Sequence, residues 1–166
     1  IWIGAITRED SKLPIGRRDF HGPSFKKKDN KDIYDAVDTL ARKSIMLRKD
    51  FKVTKQIKKV ITHVSGLGHY SLTINGKKVS NDIFSPLWSD YDKTVYDNTY
   101  QVDSLIRKGI NTIGVVLGNG FYNAMGNRYR KLWITFGPPT LFLEMNIHYT
   151  DGSVETINTD TSWKYA

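Results

Sequence analysis

At 166 residues with no cysteine, the chain is sized for one ordinary domain and is denied disulfides, thiolate nucleophiles and cysteine-ligated zinc. Its net charge of +8 invites a nucleic-acid reading, but the basic clusters at 26–28, 55–59 and 128–131 are scattered. Tyr129 is the one ring interleaved with them, so solvated surface is the stronger reading and no nucleic-acid partner is expected. No apolar run approaches the roughly 20 residues that cross a bilayer, which excludes a helical membrane span.

Residues 1–6 suit a short first strand, after which Pro14, Gly16, Gly22 and Pro23 break any regular pattern and predict a long connection. Between Asp32 and Lys43, Ile33, Val37, Leu40 and Ala41 fall on one helical stripe, with Asp32 at the amino end and Arg42 and Lys43 at the carboxyl end. A short helix is predicted near residues 32–43. Residues 1–43 thus read as a lead-in strand, loop and helix, and 44–166 as a β-domain. The start at Ile1 and the stop inside a strand-like segment suggest a fragment of a larger chain.

From Ser44 the period changes to two. Ile45, Leu47, Phe51 and Val53 mark one strand, and Val60, Thr62 and Val64 a second. Tyr70, Leu72 and Ile74 then alternate with His69, Ser71 and Thr73 up to Asn75-Gly76, a dipeptide suited to the positive φ values of a tight hairpin turn, and residues 77–79 start the return strand. Residues 94–102, 112–117, 140–149 and 154–159 are further strand candidates, with Asp151-Gly152 as another hairpin turn. Short strands delimited by turns predict an all-β sandwich or jelly roll, in which two sheets each hide an apolar face against the other.

Two polar, turn-rich segments interrupt the strands. In the first, Pro86 precedes Trp88, Asp90, Tyr91 and Asp92; in the second, Gly118 and Gly120 frame Asn119 and are followed by Phe121, Tyr122 and Asn123. An aromatic platform beside carboxylates and amides suits a sugar, which presents C–H groups on its face and hydroxyls at its rim. Trp88, Asp90, Tyr91, Asp92, Asn119 and Tyr122 are therefore the candidate carbohydrate-binding residues. The plainer alternatives are that Trp88 and Tyr91 plug the end of the sandwich, that Asp90 and Asp92 accept backbone bonds within a turn, and that Phe121 is tucked into the core. No cofactor is required; Asp82, Asp90, Asp92 and Asp97 leave calcium open, although they form no calcium-loop pattern. Asp90 and Asp92 share a side if the segment is extended, which tempts a glycosidase reading. No catalytic residue is assigned. His21, His63, His69 and His148 show no metal spacing.

Taken together, SGLGHYSLTINGKKV from Ser65, PLWSDYDKTV from Pro86, YQVDSLIRKGINTIGVVLGNGFYN from Tyr100 and YTDGSVETINTDTSWK from Tyr149 resemble the N-terminal β-sandwich domain of bacterial α-L-rhamnosidases, glycoside hydrolases of family 78 type. The resemblance covers roughly residues 44 to 164, and Trp2 to Ala5 look like the lead-in to that domain. It implies a galactose-binding-like jelly roll and hydrolysis by a separate carboxyl-terminal (α/α)6 barrel of the same chain. This domain would then be non-catalytic, recognising a rhamnose-containing oligo- or polysaccharide or supporting the active site, in the periplasm or outside a bacterium. The alternative is a structural interdomain module that binds no glycan of its own.

Overall fold

The computed structural model describes residues 44–91, 93–124, 134–135 and 138–166. The predicted lead-in strand and the helix near 32–43 lie outside these residues.

Two antiparallel sheets pack face to face. The first has the order β11-β1-β6-β3-β4, built from Lys164–Tyr165, Ile45–Val53, Gly109–Gly118, His69–Ile74 and Lys77–Lys78. The second has the order β10-β9-β2-β5, from Val154–Asn158, Thr140–Tyr149, Ile57–Leu67 and Asn98–Gln101. A two-stranded ribbon joins β7 (Asn123–Ala124) to β8 (Ile134–Thr135).

Alternation drives the layering, because successive side chains of a strand point to opposite faces. On β9 the inward set Leu141, Leu143, Met145, Ile147 and Tyr149 is buried. It faces Tyr70, Leu72 and Ile74 of β3 and Ile113, Val115 and Leu117 of β6, with Val60 and Val64 of β2 in the same core. Each such aliphatic side chain contributes about 1.5–3 kcal/mol of burial free energy. Ile45 and Phe51, expected inside, are half-buried and pack against this core rather than within it.

The predicted turn is present. Ile74 pairs with Lys77, and the intervening Asn75 and Gly76 have φ of 51° and 80°, as a two-residue hairpin of the I′ kind needs. Asn75 also reaches beyond its turn, donating to Leu105 O at 2.9 Å and to Asn111 Oδ1 at 2.8 Å and accepting from Thr112 N at 3.0 Å. Fully buried Asn111 completes the network by accepting from Arg107 N and donating to Arg107 O and Gly109 O.

The strand expected over 94–102 is shorter, limited to Asn98–Gln101. It pairs with β2 only up to Val64, beyond which β2 runs into the corner that takes the chain from the second sheet to β3 in the first. The carbonyls upstream are satisfied by side chains instead, Thr94 O by Ser89 Oγ and Tyr96 O by Ser65 Oγ. At the corner Gly68 has φ of 126°, and a Cβ there would lie 2.1 Å from Gly118 O. Only glycine fits so close to the end of β6.

Candidate functional site

The corner at Gly68 fixes where the two aromatic loops meet. The longer loop, residues 79–97, leaves β4 and follows the free edge of β3: Val79 N donates to Leu72 O, and Tyr70 N donates to Ser85 O at 2.8 Å. The shorter loop, residues 119–122, leaves β6, which pairs with β3 from His69↔Gly118 onward. Both loops therefore meet at the His69 end of the first sheet.

Rings join them. His69 lies 5.5 Å from Phe84 of the long loop and 5.9 Å from Phe121 of the short one, centroid to centroid. Tyr91 and Tyr122 meet edge to face at 5.1 Å with an interplanar angle of 88°, a geometry favoured by the ring quadrupoles. Burial pushes the phenol pKa of both tyrosines up, and for Tyr91 the neighbouring Tyr122 adds to the effect. Gly120 makes the approach possible: its φ is 50°, and a Cβ would stand 2.7 Å from His69 Cδ2.

Each candidate residue has a distinct situation. Trp88 is 64% exposed and does not plug the sandwich. Phe121 is half-exposed against His69 and is not tucked into the core. Tyr91 and Tyr122, 31 residues apart in sequence, are brought together. Asp90 shapes its own turn, its carbonyl accepting from Lys93 N and Thr94 N at 2.8 Å while its carboxylate pairs with Lys93 Nζ at 2.9 Å. Asn119 closes the short loop: its carbonyl accepts from Asn123 N and its Oδ1 from Asn123 Nδ2 at 3.0 Å. Asp92 lies outside the described residues.

Sequence reasoning missed the company these residues keep. Ile83, Phe84 and Leu87 are exposed at 83%, 63% and 69%, so the long loop displays aliphatic as well as aromatic surface. An apolar run between Asp82 and Asp90 with no alternating partner was the available signal.

Of the carboxylates considered for calcium, the three described ones each have another partner. Asp82 accepts from Tyr100 at 3.3 Å, Asp90 holds Lys93, and Asp97 lies 3.5 Å from His63 Nδ1. Among the described residues no three His, Cys, Asp or Glu side chains cluster as a metal site.

The profile of the alpha-L-rhamnosidase N-terminal domain matches residues 55–166. An alpha-L-rhamnosidase of Streptomyces avermitilis is 31% identical over 137 residues, covering 78% of this chain and 13% of that protein. The chain spans 13–15% of the length of the curated relatives it matches. Among solved structures, the alpha-L-rhamnosidase of Aspergillus terreus superposes with a TM-score of 0.70 at 30% identity, over 74% of this chain and 14% of that one. A Pleurotus ostreatus lectin in its apo form superposes with a TM-score of 0.50 at 26% identity, over 74% of this chain and 29% of that one. With the profile spanning more than half of its residues, this chain belongs to the alpha-L-rhamnosidase N-terminal domain family.

Proposed function

We propose that the chain is a non-catalytic module of an α-L-rhamnosidase-like glycoside hydrolase, recognising a rhamnose-containing glycan or supporting the active site of a catalytic domain in the same polypeptide. The observation that carries the reading is the convergence of the two loops, with Tyr91 against Tyr122 and Trp88 turned to solvent. Rings held by neighbouring side chains offer a sugar face a surface whose ordering is already complete before binding. The likeness to a lectin supports the same reading. Periplasmic or extracellular placement, which the family resemblance implies, is part of the same proposal.

Calorimetric titration of the domain with L-rhamnose and short rhamnose-containing oligosaccharides, with glucose as control and with calcium or chelator present, tests it. Saturable binding lost on Trp88→Ala and Tyr122→Ala is expected. Absence of binding by the folded domain would overturn glycan recognition and leave the second reading, a module docked on a neighbouring domain. Exposed Ile83 and Leu87 favour that alternative, because aliphatic side chains suit a protein surface better than a sugar. Hydrogen exchange of residues 83–88 in this chain and in a full-length rhamnosidase carrying it would then show protection confined to the latter.

A further inference from the structure

Where the first half of the long loop runs between β3 of one sheet and β5 of the other lies a polar recess that includes none of the six candidate residues. Its hydrogen-bonding rim is Tyr70, Tyr100, Asp82, Asn98, Ser80 and Ser85, over an apolar wall of Leu72 and Val79. We propose that this recess is a hydroxyl-recognition subsite that takes adjacent hydroxyls of a sugar ring, an inference that rests on the glycan reading and names a place for it.

The frame is fixed. Tyr70 is buried on β3 and its backbone N–H holds Ser85 O at 2.8 Å, which anchors the loop at the recess. Asn98 Nδ2 donates to Tyr100 Oη at 2.9 Å and to Ser85 Oγ at 3.3 Å, orienting the second phenol and the hydroxyl together. Asp82 N donates to Ser80 Oγ at 3.0 Å, which sets the start of the acidic rim.

The slack is in the hydroxyl contacts. Tyr70 and Tyr100 oxygens are 3.3 Å apart, and Tyr100 Oη lies 3.3 Å from Asp82 Oδ2. Both exceed the usual O–H···O separation of about 2.7–2.8 Å by roughly half an ångström. A ligand hydroxyl entering between Tyr100 and Asp82 accepts from the phenol and donates to the carboxylate, replacing one long contact with two of ordinary length. An ionised carboxylate accepts at either oxygen, so a neighbouring ligand hydroxyl can bind the same group. Burial first, and the neighbouring Tyr100 next, hold the Tyr70 phenol protonated far above its ordinary range, so it remains a donor.

The same chemistry argues against other ligands. Asp82 repels a phosphate or carboxylate, while the recess sets hydroxyl donors beside that acceptor. A neutral polyol uses both kinds of group.

The test is titration of the whole domain with L-rhamnose, by calorimetry and by backbone and side-chain amide NMR, for wild type, Asp82→Asn, Tyr100→Phe and Trp88→Ala. Expected are a tenfold or greater loss of affinity in Asp82→Asn and in Tyr100→Phe, and shifts of the Asn98 side-chain amide on titration of the wild type. Asp82 is exposed, so its variant reports on the recess even where Tyr100→Phe unfolds. Wild-type affinity in Asp82→Asn with binding lost in Trp88→Ala would overturn the recess and leave the glycan reading standing. No saturable binding by folded wild type would overturn both.

Discussion

Asn111 is the buried polar residue on which the turn end of the first sheet depends, and removing its amide should cost far more than its surface would suggest. It is fully buried and makes four hydrogen bonds: it accepts from Arg107 N and Asn75 Nδ2 and donates to Arg107 O and Gly109 O. Asn111→Ala removes all four bonds, and Asn75 Nδ2 keeps only Leu105 O. An orphaned buried group costs about 1–3 kcal/mol, and water entering the vacated space recovers part of that, so a net loss of about 3 kcal/mol is expected. For a domain of this size the melting temperature should fall by roughly 10 °C. Asn111→Asp should be at least as damaging, because it keeps the acceptor but sets a carboxylate against two carbonyls in a buried site. Urea unfolding gives the equilibrium loss, and hydrogen exchange at the Arg107 and Thr112 amides shows whether the opening is local. A loss below about 0.5 kcal/mol in Asn111→Ala, with unchanged exchange at those amides, would refute the reasoning.

The glycines should separate by surroundings. Gly68→Ala, with a 2.1 Å clash on backbone, should prevent folding or cost more than about 3 kcal/mol, whereas Gly152→Ala, at φ of 85° with nothing within 4 Å, should cost about 1 kcal/mol of backbone strain; thermal melts decide. Asp151 is held well below the ordinary carboxylate range by the Ser153 hydroxyl first and then by Lys55, and Asp160 is lowered by Ser162 and Asp50 by Thr112. The unfolded chain therefore binds protons first, and stability should be full above the ordinary aspartate pKa, near 4, and fall as pH drops below it toward the native values; Asp151→Asn should flatten that acid limb in melts recorded between pH 2 and 5. A double-mutant cycle of Tyr91→Ala and Tyr122→Ala, read by urea unfolding, should return a coupling of about 0.5–1.5 kcal/mol from the edge-to-face pair, and none if the loops move independently.

The frame was legible where a pattern repeats. Five inward residues on β9 and three on β3 announce their strands through period two, and Asn75-Gly76 announces its turn, because one local rule decides each. Strand length at 94–102 was not legible: residues 94–97 have strand-like sequence, but β2 pairs with this segment only up to Val64, a limit set by a distant strand. The candidate site was partly legible for the same reason. Trp88, Tyr91 and Tyr122 stood out as rings in polar loops, yet the edge-to-face contact of two of them depends on the sheet order that brings the loops side by side. The Tyr70–Tyr100–Asp82 recess was invisible, since each tyrosine alone reads as a strand residue and only sandwich closure brings their hydroxyls together.

The loops owe their chemistry to how their backbones are satisfied. Carbonyls in the long loop are taken by Ser65 and Ser89, and the short loop is closed by Asn123 on Asn119. With main-chain groups paired internally, Trp88 and Phe121 can stand in solvent without being needed to hold the turns, while the partly buried Tyr91 and Tyr122 join one loop to the other. The same sandwich end thus separates residues that make the platform from residues that display it. A relative could change the displayed rings at little cost to the fold. Gly68, Gly120 and Asn111 allow no such freedom, because each is fixed by backbone only a few ångströms away.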